Sequence, residues 1–359
     1  EFKRDNIKPE VRELVAFGVA EFDPKTTKYL IGNLDFQFDQ AAYSITDLGK
    51  LEFISGDAKF NDSKITSLGN LKSISGRANF SRSKITSLGN LESIGGVADF
   101  IASNVTDLGK LESIGGIAYF SSSKITSLGN LKSIGGDAYF SYSKFTDLGK
   151  LETIGGDAKF NDSKITSLGN LKSIGGTANF SYSNVTDLGK LESIGGGADF
   201  TTSKVTSLGN LESIGGYADF IASNVTDLGN LKSIGGVANF TTSKVTSLGN
   251  LESIGGYVDF ADSNVTSLGN LKSIGGVANF SYSNVADLGK LESIGGRADF
   301  SSSKITSLGN LKSIGGDAYF GDKTTLENEW KRRQGKPPSR QQKGDAVGFI
   351  KNARSQGIS

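Results

Sequence analysis

The sequence predicts a mainly β protein, a single-chain solenoid of fourteen 20-residue coils with a parallel in-register sheet and short helical caps at both ends. Three observations predict it. A 20-residue pattern runs without insertion from Ile45 to Thr324. Each unit has six apolar positions, too few to form a core without stacking on its neighbours. All four prolines lie outside the repeats, as expected if every coil uses its backbone N–H groups in a continuous ladder.

Each stretch of the repeat predicts its own local structure, as in "SLGNLKSIGGDAYFSYSK" (127–144). The Ala-x-Phe alternation predicts a short strand with both apolar side chains inward. The Gly-Gly pair before it predicts a turn. The spacing Leu-Gly-x-Leu-x-x-Ile favours an irregular or 3₁₀-like return segment over a full α-helix.

The boundaries of the repeat region predict three domains. They are an N-terminal helical cap with an incomplete first coil (1–44), the solenoid (45–324) and a basic C-terminal cap or docking tail (325–359). In the first, "PEVRELVAFGVAEF" (9–22) predicts an amphipathic helix, and "LIGNLDF" (30–36) predicts an incomplete first coil. In the last, Thr324 and Glu327 have capping-box spacing at the start of "TTLENEWKRRQ". From Thr325 onward, eight Lys and Arg stand against three acidic residues, so the tail is also a candidate docking segment for an assembly partner.

Glu and Lys alternate in one column of the repeat, as at Glu112, Lys132, Glu152 and Lys172. In an in-register stack these side chains lie one coil apart, where like charges would destabilise the sheet. Lysines never follow one another in this column, and Glu follows Glu only twice. We therefore expect the alternation to control register and solubility.

The composition argues against several classes of function. The chain has no Cys and no His, which removes thiolate chemistry and the commonest metal ligand and general base. No coil differs from the others as a catalytic site requires, so we expect no enzyme activity and no cofactor. The net charge of +1 makes nucleic acid an improbable partner, and we expect no membrane span. Because the sequence does not begin with Met, we expect a processed or trimmed form.

The stretch "GGDAYFSYSKFTDLGKL" (135–151) resembles the short leucine-rich repeats of bacterial and bacteriophage proteins. Ala138 and Phe140 take the positions of the two strand leucines, and Phe145 takes the next apolar position. Ser143 stands where the family has Asn, so the resemblance implies a buried ladder of serines whose hydroxyls bond the backbone of a neighbouring coil. The resemblance implies a solenoid and, by analogy, a role in recognition.

The variable positions that follow each Gly-Gly form the candidate ligand-binding strip. Eight of the ten tyrosines fall on it, and Tyr offers a large, rigid contact surface with a polar tip. Asp and Asn on the same strip can bond ligand hydroxyls. The candidate residues are Tyr119, Tyr139, Tyr142, Tyr182, Asp199, Tyr217, Asp219, Tyr257, Tyr282 and Tyr319. These positions are equally compatible with solvent-exposed sites free to vary. Asp199 and Asp219 supply too few oxygens for Ca²⁺, so no metal site is predicted.

Three functions are compatible with this sequence. The favoured one is a non-enzymatic recognition or adhesion protein that presents the strip to a glycan or protein ligand. The second is a structural component of a virion or extracellular fibre, assembled through its termini. The third is an ice-binding solenoid that uses the Thr column. Ice-binding surfaces of this kind need two parallel Thr columns, and this sequence has one. An extracellular, cell-surface or virion-associated location fits the first two.

Overall fold

A computed structural model describes the backbone of residues 15–16 and both backbone and side chains of residues 22–35 and 45–336. The chain falls into two compact units, Glu1–Gly216 and Tyr217–Ser359. The mainly β parallel solenoid predicted from the sequence is confirmed in both. Each 20-residue coil contributes two short parallel strands, and each strand pairs with the equivalent residues of the next coil, as Ser113 does with Ser133 and Ala118 with Ala138.

Two parallel sheets run along each unit, where the sequence predicted one. The first sheet is built from Ser–Ile strands and the second from Ala strands. In the first unit the Ser–Ile sheet contains Val15–Ala16, Tyr29–Leu30, Phe53–Ile54, Ser73–Ile74, Ser93–Ile94, Ser113–Ile114, Ser133–Ile134, Thr153–Ile154, Ser173–Ile174, Ser193–Ile194 and Ser213–Ile214. Its Ala sheet contains Leu34–Asp35, Ala58–Lys59, Ala78–Asn79, Ala98–Asp99, Ala118–Tyr119, Ala138–Tyr139, Ala158–Lys159, Ala178–Asn179 and Ala198–Asp199.

The second unit repeats this arrangement. Its Ser–Ile strands are Ser233–Ile234, Ser253–Ile254, Ser273–Ile274, Ser293–Ile294 and Ser313–Ile314. Its Ala strands are Ala218–Asp219, Ala238–Asn239, Val258–Asp259, Ala278–Asn279, Ala298–Asp299 and Ala318–Tyr319. The α-helix Thr324–Arg333 follows the last coil.

The return segment explains the additional sheet. The Leu111 N–H donates to the Leu108 carbonyl at 3.1 Å, the short-range bond of the predicted 3₁₀-like turn. The chain then extends, and Ser113–Ile114 forms a strand that the apolar spacing does not predict. The two sheets bond in opposite directions along the stack: the Gly115 N–H donates to Ile94 of the preceding coil, and the Ala118 N–H donates to Asp137 of the following coil.

The core is a set of apolar columns between the two sheets. The phenylalanine rings stack coil upon coil, with centroids 5.2 Å apart for Phe140 and Phe160 and 5.1 Å apart for Phe160 and Phe180. Leu, Ile and Ala columns are buried beside them, and Phe145 packs edge-on against Phe140 at 5.8 Å. Because each ring fills the space above its neighbour, every coil supplies part of the core of the next.

The buried serine ladder predicted from the resemblance is present, but its bonding differs. Ser63 and Ser303 donate to Phe60 and Phe300 of their own coil, at 2.8 and 2.7 Å, instead of to a neighbouring coil. The fully buried hydroxyl of Ser83 has no hydrogen-bond partner among the described residues. The three serines each follow a phenylalanine by three residues, but the bond to that phenylalanine carbonyl forms only at Ser63 and Ser303, at the ends of the array, and not at Ser83.

The predicted caps are confirmed only in part. The predicted N-terminal helix is wrong at Val15–Ala16, which is a strand paired with Tyr29–Leu30; the rest of 9–21 lies outside the described residues. Before the first repeat, Tyr29–Leu30 pairs with Phe53–Ile54 and Leu34–Asp35 pairs with Ala58–Lys59, so both sheets extend into this stretch. Val15–Ala16 is instead the first strand of the Ser–Ile sheet, where its backbone pairs with a neighbouring strand.

At the other end, the predicted C-terminal helix is present without its capping box. Thr324 is the first helical residue and Lys323 occupies the N-cap, so no side chain caps the helix. Arg333 in the last turn donates to the carbonyls of Gly309 and Leu311, at 3.1 and 2.9 Å. The helix thereby covers carbonyl groups that the last coil would otherwise leave open. The remainder of the predicted basic tail, 337–359, lies outside the described residues.

Candidate recognition surface

Two tyrosines of the predicted strip stack on each other on the outer face of the Ala sheet in the first unit. Tyr119 and Tyr139 are direct partners in the strand register, and their rings lie 4.9 Å apart with planes inclined by 19°. The Lys159 ammonium of the next coil lies 5.0 Å from the centre of the Tyr139 ring. Together the three side chains form an aromatic and cationic ladder over successive coils.

The ladder presents ring edges and hydroxyl groups to the outside. The two rings cover one face of each other, and Lys159 lies over Tyr139. Partial burial and the neighbouring Asp137 carboxylate, to which the Tyr139 hydroxyl donates at 3.5 Å, raise the pKa of Tyr139. The hydroxyl of Tyr139 therefore stays protonated and can donate a hydrogen bond over a wide pH range.

Tyr142 and Tyr182 lie beside the ladder, in the turns that follow the Phe column. These turns place one exposed residue per coil in the left-handed conformation; in the first unit we call these residues the turn row. The turn row consists of Asp62, Arg82, Ala102, Ser122, Tyr142, Asp162, Tyr182 and Thr202. Tyr142 is 64% exposed and Tyr182 67% exposed, so both rings stand well out from the coil.

The Asp and Asn residues of the strip hold the turns in place. Asp199 accepts the Thr201 N–H at 2.9 Å, and in the second unit Asp219 accepts the Ile221 N–H at 2.9 Å. The same bond recurs at Asn179, which accepts from Ser181. One oxygen of each side chain is thus engaged in a two-residue Asx turn. These Asp and Asn side chains therefore stabilise the fold. The sequence pattern of the strip alone does not distinguish this role from ligand binding.

The remaining candidates lie in the second unit. The Tyr257 hydroxyl donates to Asp259 at 2.8 Å, and burial together with that carboxylate raises the pKa of Tyr257. Arg297 lies 5.2 Å from the centre of the Tyr319 ring. Tyr217 is 43% exposed, and Tyr282 occupies a left-handed turn like that of Tyr142. These four tyrosines belong to four different coils of the repeat.

A shallow groove, which the sequence did not point to, runs along the Ser–Ile sheet of the first unit. It is lined by small residues such as Ser113, Gly115, Ser133 and Gly135. A Cβ atom on Gly135 would come within 2.2 Å of the Gly115 carbonyl oxygen. Close contact between coils therefore accounts for these glycines, and the only sequence signal for the groove is the constant Ser-Ile-Gly-Gly stretch.

Charged residues on the return side pair between coils as the alternation predicts. Lys132 contacts Glu112 at 2.9 Å, and Lys172 contacts Glu152 at 2.8 Å. Thr hydroxyls of the exposed Thr column bond back to the preceding coil, as Thr166 does to the Thr146 carbonyl at 3.3 Å. Both patterns hold adjacent coils in register.

The fold and this surface define the class of the molecule, a parallel β-solenoid of 20-residue coils. No protein-family model, no curated protein and no solved structure matches the chain. Among residues 22–35 and 45–336, no three His, Cys, Asp or Glu side chains are grouped to hold a metal ion. No helix within the described ranges is long and apolar enough to cross a membrane.

Proposed function

We propose that this chain is a non-enzymatic recognition protein that binds a glycan or protein ligand through the outer face of the Ala sheet in its first unit. The binding residues are Tyr119, Tyr139, Tyr142 and Tyr182, which we call the tyrosine cluster. The observation that carries the proposal is the presence of these four aromatic side chains within four successive coils, two stacked on the Ala strands and two widely exposed in the turns that follow those strands.

Physical chemistry supports this choice of residues. Tyrosine combines a large apolar surface with a hydroxyl and loses little conformational entropy on binding, because it has only two side-chain torsions. The β-solenoid below provides a rigid support for all four rings. The resemblance of the coils to leucine-rich repeats favours recognition by analogy alone.

A structural role for the array is the competing proposal. It would use the ends of the solenoid for assembly, yet the helix Thr324–Arg333 covers carbonyl groups of the last coil through Arg333. The tyrosine cluster has no part in such assembly. The two proposals therefore differ in whether the tyrosines or the termini are needed.

The test is to measure binding of the full chain, and of its Tyr119→Ala/Tyr139→Ala variant, to a glycan array and to a panel of extracellular proteins. We expect binding by the wild type and its loss in the variant, with an unchanged melting curve. Full binding by this variant would leave Tyr142 and Tyr182 as the binding residues, and full binding by a Tyr142→Ala/Tyr182→Ala variant as well would place the site elsewhere. Assembly through the terminal segments, with no effect of the tyrosine substitutions, would favour the structural role.

A further inference from the structure

We infer that the turn row binds a linear β-1,4-linked polysaccharide along the stacking direction of the coils, with Tyr142 and Tyr182 each stacked against a sugar ring. This inference rests on the proposed function and names its ligand class. It moves the principal contacts from the stacked Tyr119 and Tyr139 to the two exposed tyrosines of the turns.

The backbone of the turn row is the first argument. Tyr142 and Tyr182 have φ angles of 59° and 52°, in the left-handed region that costs an L-residue roughly 1–2 kcal/mol. The Leu-Gly turn of every coil has the same conformation and always carries Gly, even where a Cβ would meet nothing within 4 Å, as at Gly89 and Gly129. The turn row carries a side chain in every coil of the first unit. These side chains are present although the turn geometry favours Gly.

The accessibility of the rings is the second argument. A sugar ring stacks on an aromatic face through its C–H groups, so the face must be open. Tyr119 and Tyr139 cover each other, and Lys159 lies over Tyr139. Tyr142 and Tyr182 are about two-thirds exposed, and within the described part of the chain neither ring stacks on another aromatic ring. In the tyrosine cluster, Tyr142 and Tyr182 are therefore the exposed rings, whereas Tyr119 and Tyr139 are half-buried and stacked.

The spacing of the rings is the third argument. Tyr142 and Tyr182 are two coils apart, and one coil step at this place corresponds to the 5.2 and 5.1 Å separations of Phe140, Phe160 and Phe180. The two tyrosines are therefore separated by roughly 10 Å along the stack. An extended β-1,4-linked chain repeats its ring orientation every two sugars, over a length close to the span of two coils.

The residue between the two tyrosines completes the site. Asp162 is the turn-row residue of the intervening coil and is exposed to solvent. Its carboxylate accepts one hydrogen bond, from the Asn161 amide at 3.3 Å, and a carboxylate accepts several. It can therefore accept hydrogen bonds from the hydroxyl groups of the sugar that lies between the two stacked rings.

The experiment is affinity electrophoresis of the full chain in native gels containing hydroxyethylcellulose, glycol chitin or dextran. We expect retardation by one or both β-1,4-linked polymers, which also separates a glucan from an amino-sugar chain, and none by α-linked dextran. Tyr142→Asn/Tyr182→Asn should weaken retardation at least tenfold. Asn adopts the left-handed conformation readily, so the variant keeps its turns. Ala102→Asn/Thr202→Asn is the matched control at flanking turn-row positions and should bind like the wild type.

A gain of binding tests the spacing directly. Ala102→Tyr adds a third ring two coils before Tyr142, whereas Ser122→Tyr adds one only a single coil away, in the same backbone conformation. We expect Ala102→Tyr to tighten binding severalfold and Ser122→Tyr to leave it unchanged. Equal effects of the two variants, or no retardation by either β-1,4-linked polymer, would overturn the inference.

The outcomes separate this inference from the proposed function. Another ligand whose binding depends on Tyr119 and Tyr139, but not on Tyr142 and Tyr182, would overturn the polysaccharide inference and support the proposed function. If no ligand in either experiment depends on the tyrosine cluster, both are wrong.

Discussion

Tyr142 and Gly149 have the same backbone conformation, with φ angles of 59° and 58°, seven residues apart in one coil. A Cβ on Gly149 would lie 3.6 Å from its nearest neighbour, an ordinary contact, so space does not require glycine there. The left-handed conformation alone explains Gly149. At Tyr142 the chain tolerates the same strain and keeps an aromatic ring that contributes nothing to the core, which makes the ring a candidate for a function outside folding.

The phenylalanine column should dominate the stability of the stack. Phe180 is fully buried, with its ring 5.1 Å from Phe160 and 5.2 Å from Phe200. Phe180→Ala removes contacts to both neighbouring coils and should lower the free energy of unfolding by about 3–5 kcal/mol. Chemical denaturation measures the loss. The exposed Thr202→Ala is the control, and equal stability of the two variants would show that Phe is not the core column.

The glycines of the Gly-Gly turn should be required for close approach of the coils. On Gly155 a Cβ would lie 2.2 Å from the Gly135 carbonyl oxygen, so Gly155→Ala must push two coils apart and should cost about 3 kcal/mol. At Gly129 a Cβ meets nothing within 4 Å, and only the positive φ opposes Gly129→Ala, at about 1–2 kcal/mol. Denaturation of both variants compares the two causes. A smaller loss for Gly155→Ala would contradict the packing.

The charge column should make stability depend on acid. A hydrogen bond from the Lys172 ammonium, and then its charge, hold the pKa of Glu152 below its ordinary value. The folded state therefore binds this proton less readily than the unfolded state, so the stabilisation is present above the ordinary glutamate pKa and is lost as pH falls through the lowered one. Carboxyl NMR titration should show the pKa of Glu152 rising in Lys172→Met. An unchanged titration would show that the pair does not form in solution.

Tyr257 should make the stability of the folded state fall at alkaline pH. Burial, reinforced by the Asp259 carboxylate, raises the pKa of its hydroxyl. Above the unfolded value of about 10, the folded state holds this proton while the unfolded state releases it, so stability falls as pH rises. Ultraviolet titration of tyrosinate should show a group that ionises later than Tyr139, whose pKa is also raised, and Tyr257→Phe should remove it. If the late group persists in that variant, Tyr257 is not its source.

The repeat made most of the fold predictable. A fixed 20-residue spacing requires equivalent residues to stack, so the burial of Phe180 and the pairing of Lys172 with Glu152 both follow from the sequence. The second sheet did not follow, because Ser113–Ile114 has only one apolar residue and no alternation to identify a strand. The strand at Val15–Ala16 also escaped prediction, because its apolar neighbours are spaced as in a helix.

The candidate site was predictable in its residues and less so in their roles. The pattern located Tyr119, Tyr139, Tyr142 and Tyr182 on one strip, but the stacked and the exposed pairs look alike in sequence. The Asx turn of Asp199 is a hydrogen bond between a side chain and the backbone two residues later, which a strip of variable positions does not reveal. The hydrogen bond of Asp199 shows that it stabilises a turn, and the positive φ of Tyr142 shows that it lies within one.

The most direct measurement determines stability and affinity together for Tyr142→Asn/Tyr182→Asn. If the two rings serve binding and not folding, the free energy of unfolding of the variant should equal or exceed that of the wild type, because Asn relieves the left-handed strain. Its affinity for the β-1,4-linked polymer should fall at least tenfold. A variant that loses stability and keeps its affinity would contradict the account, since the rings would then belong to the fold.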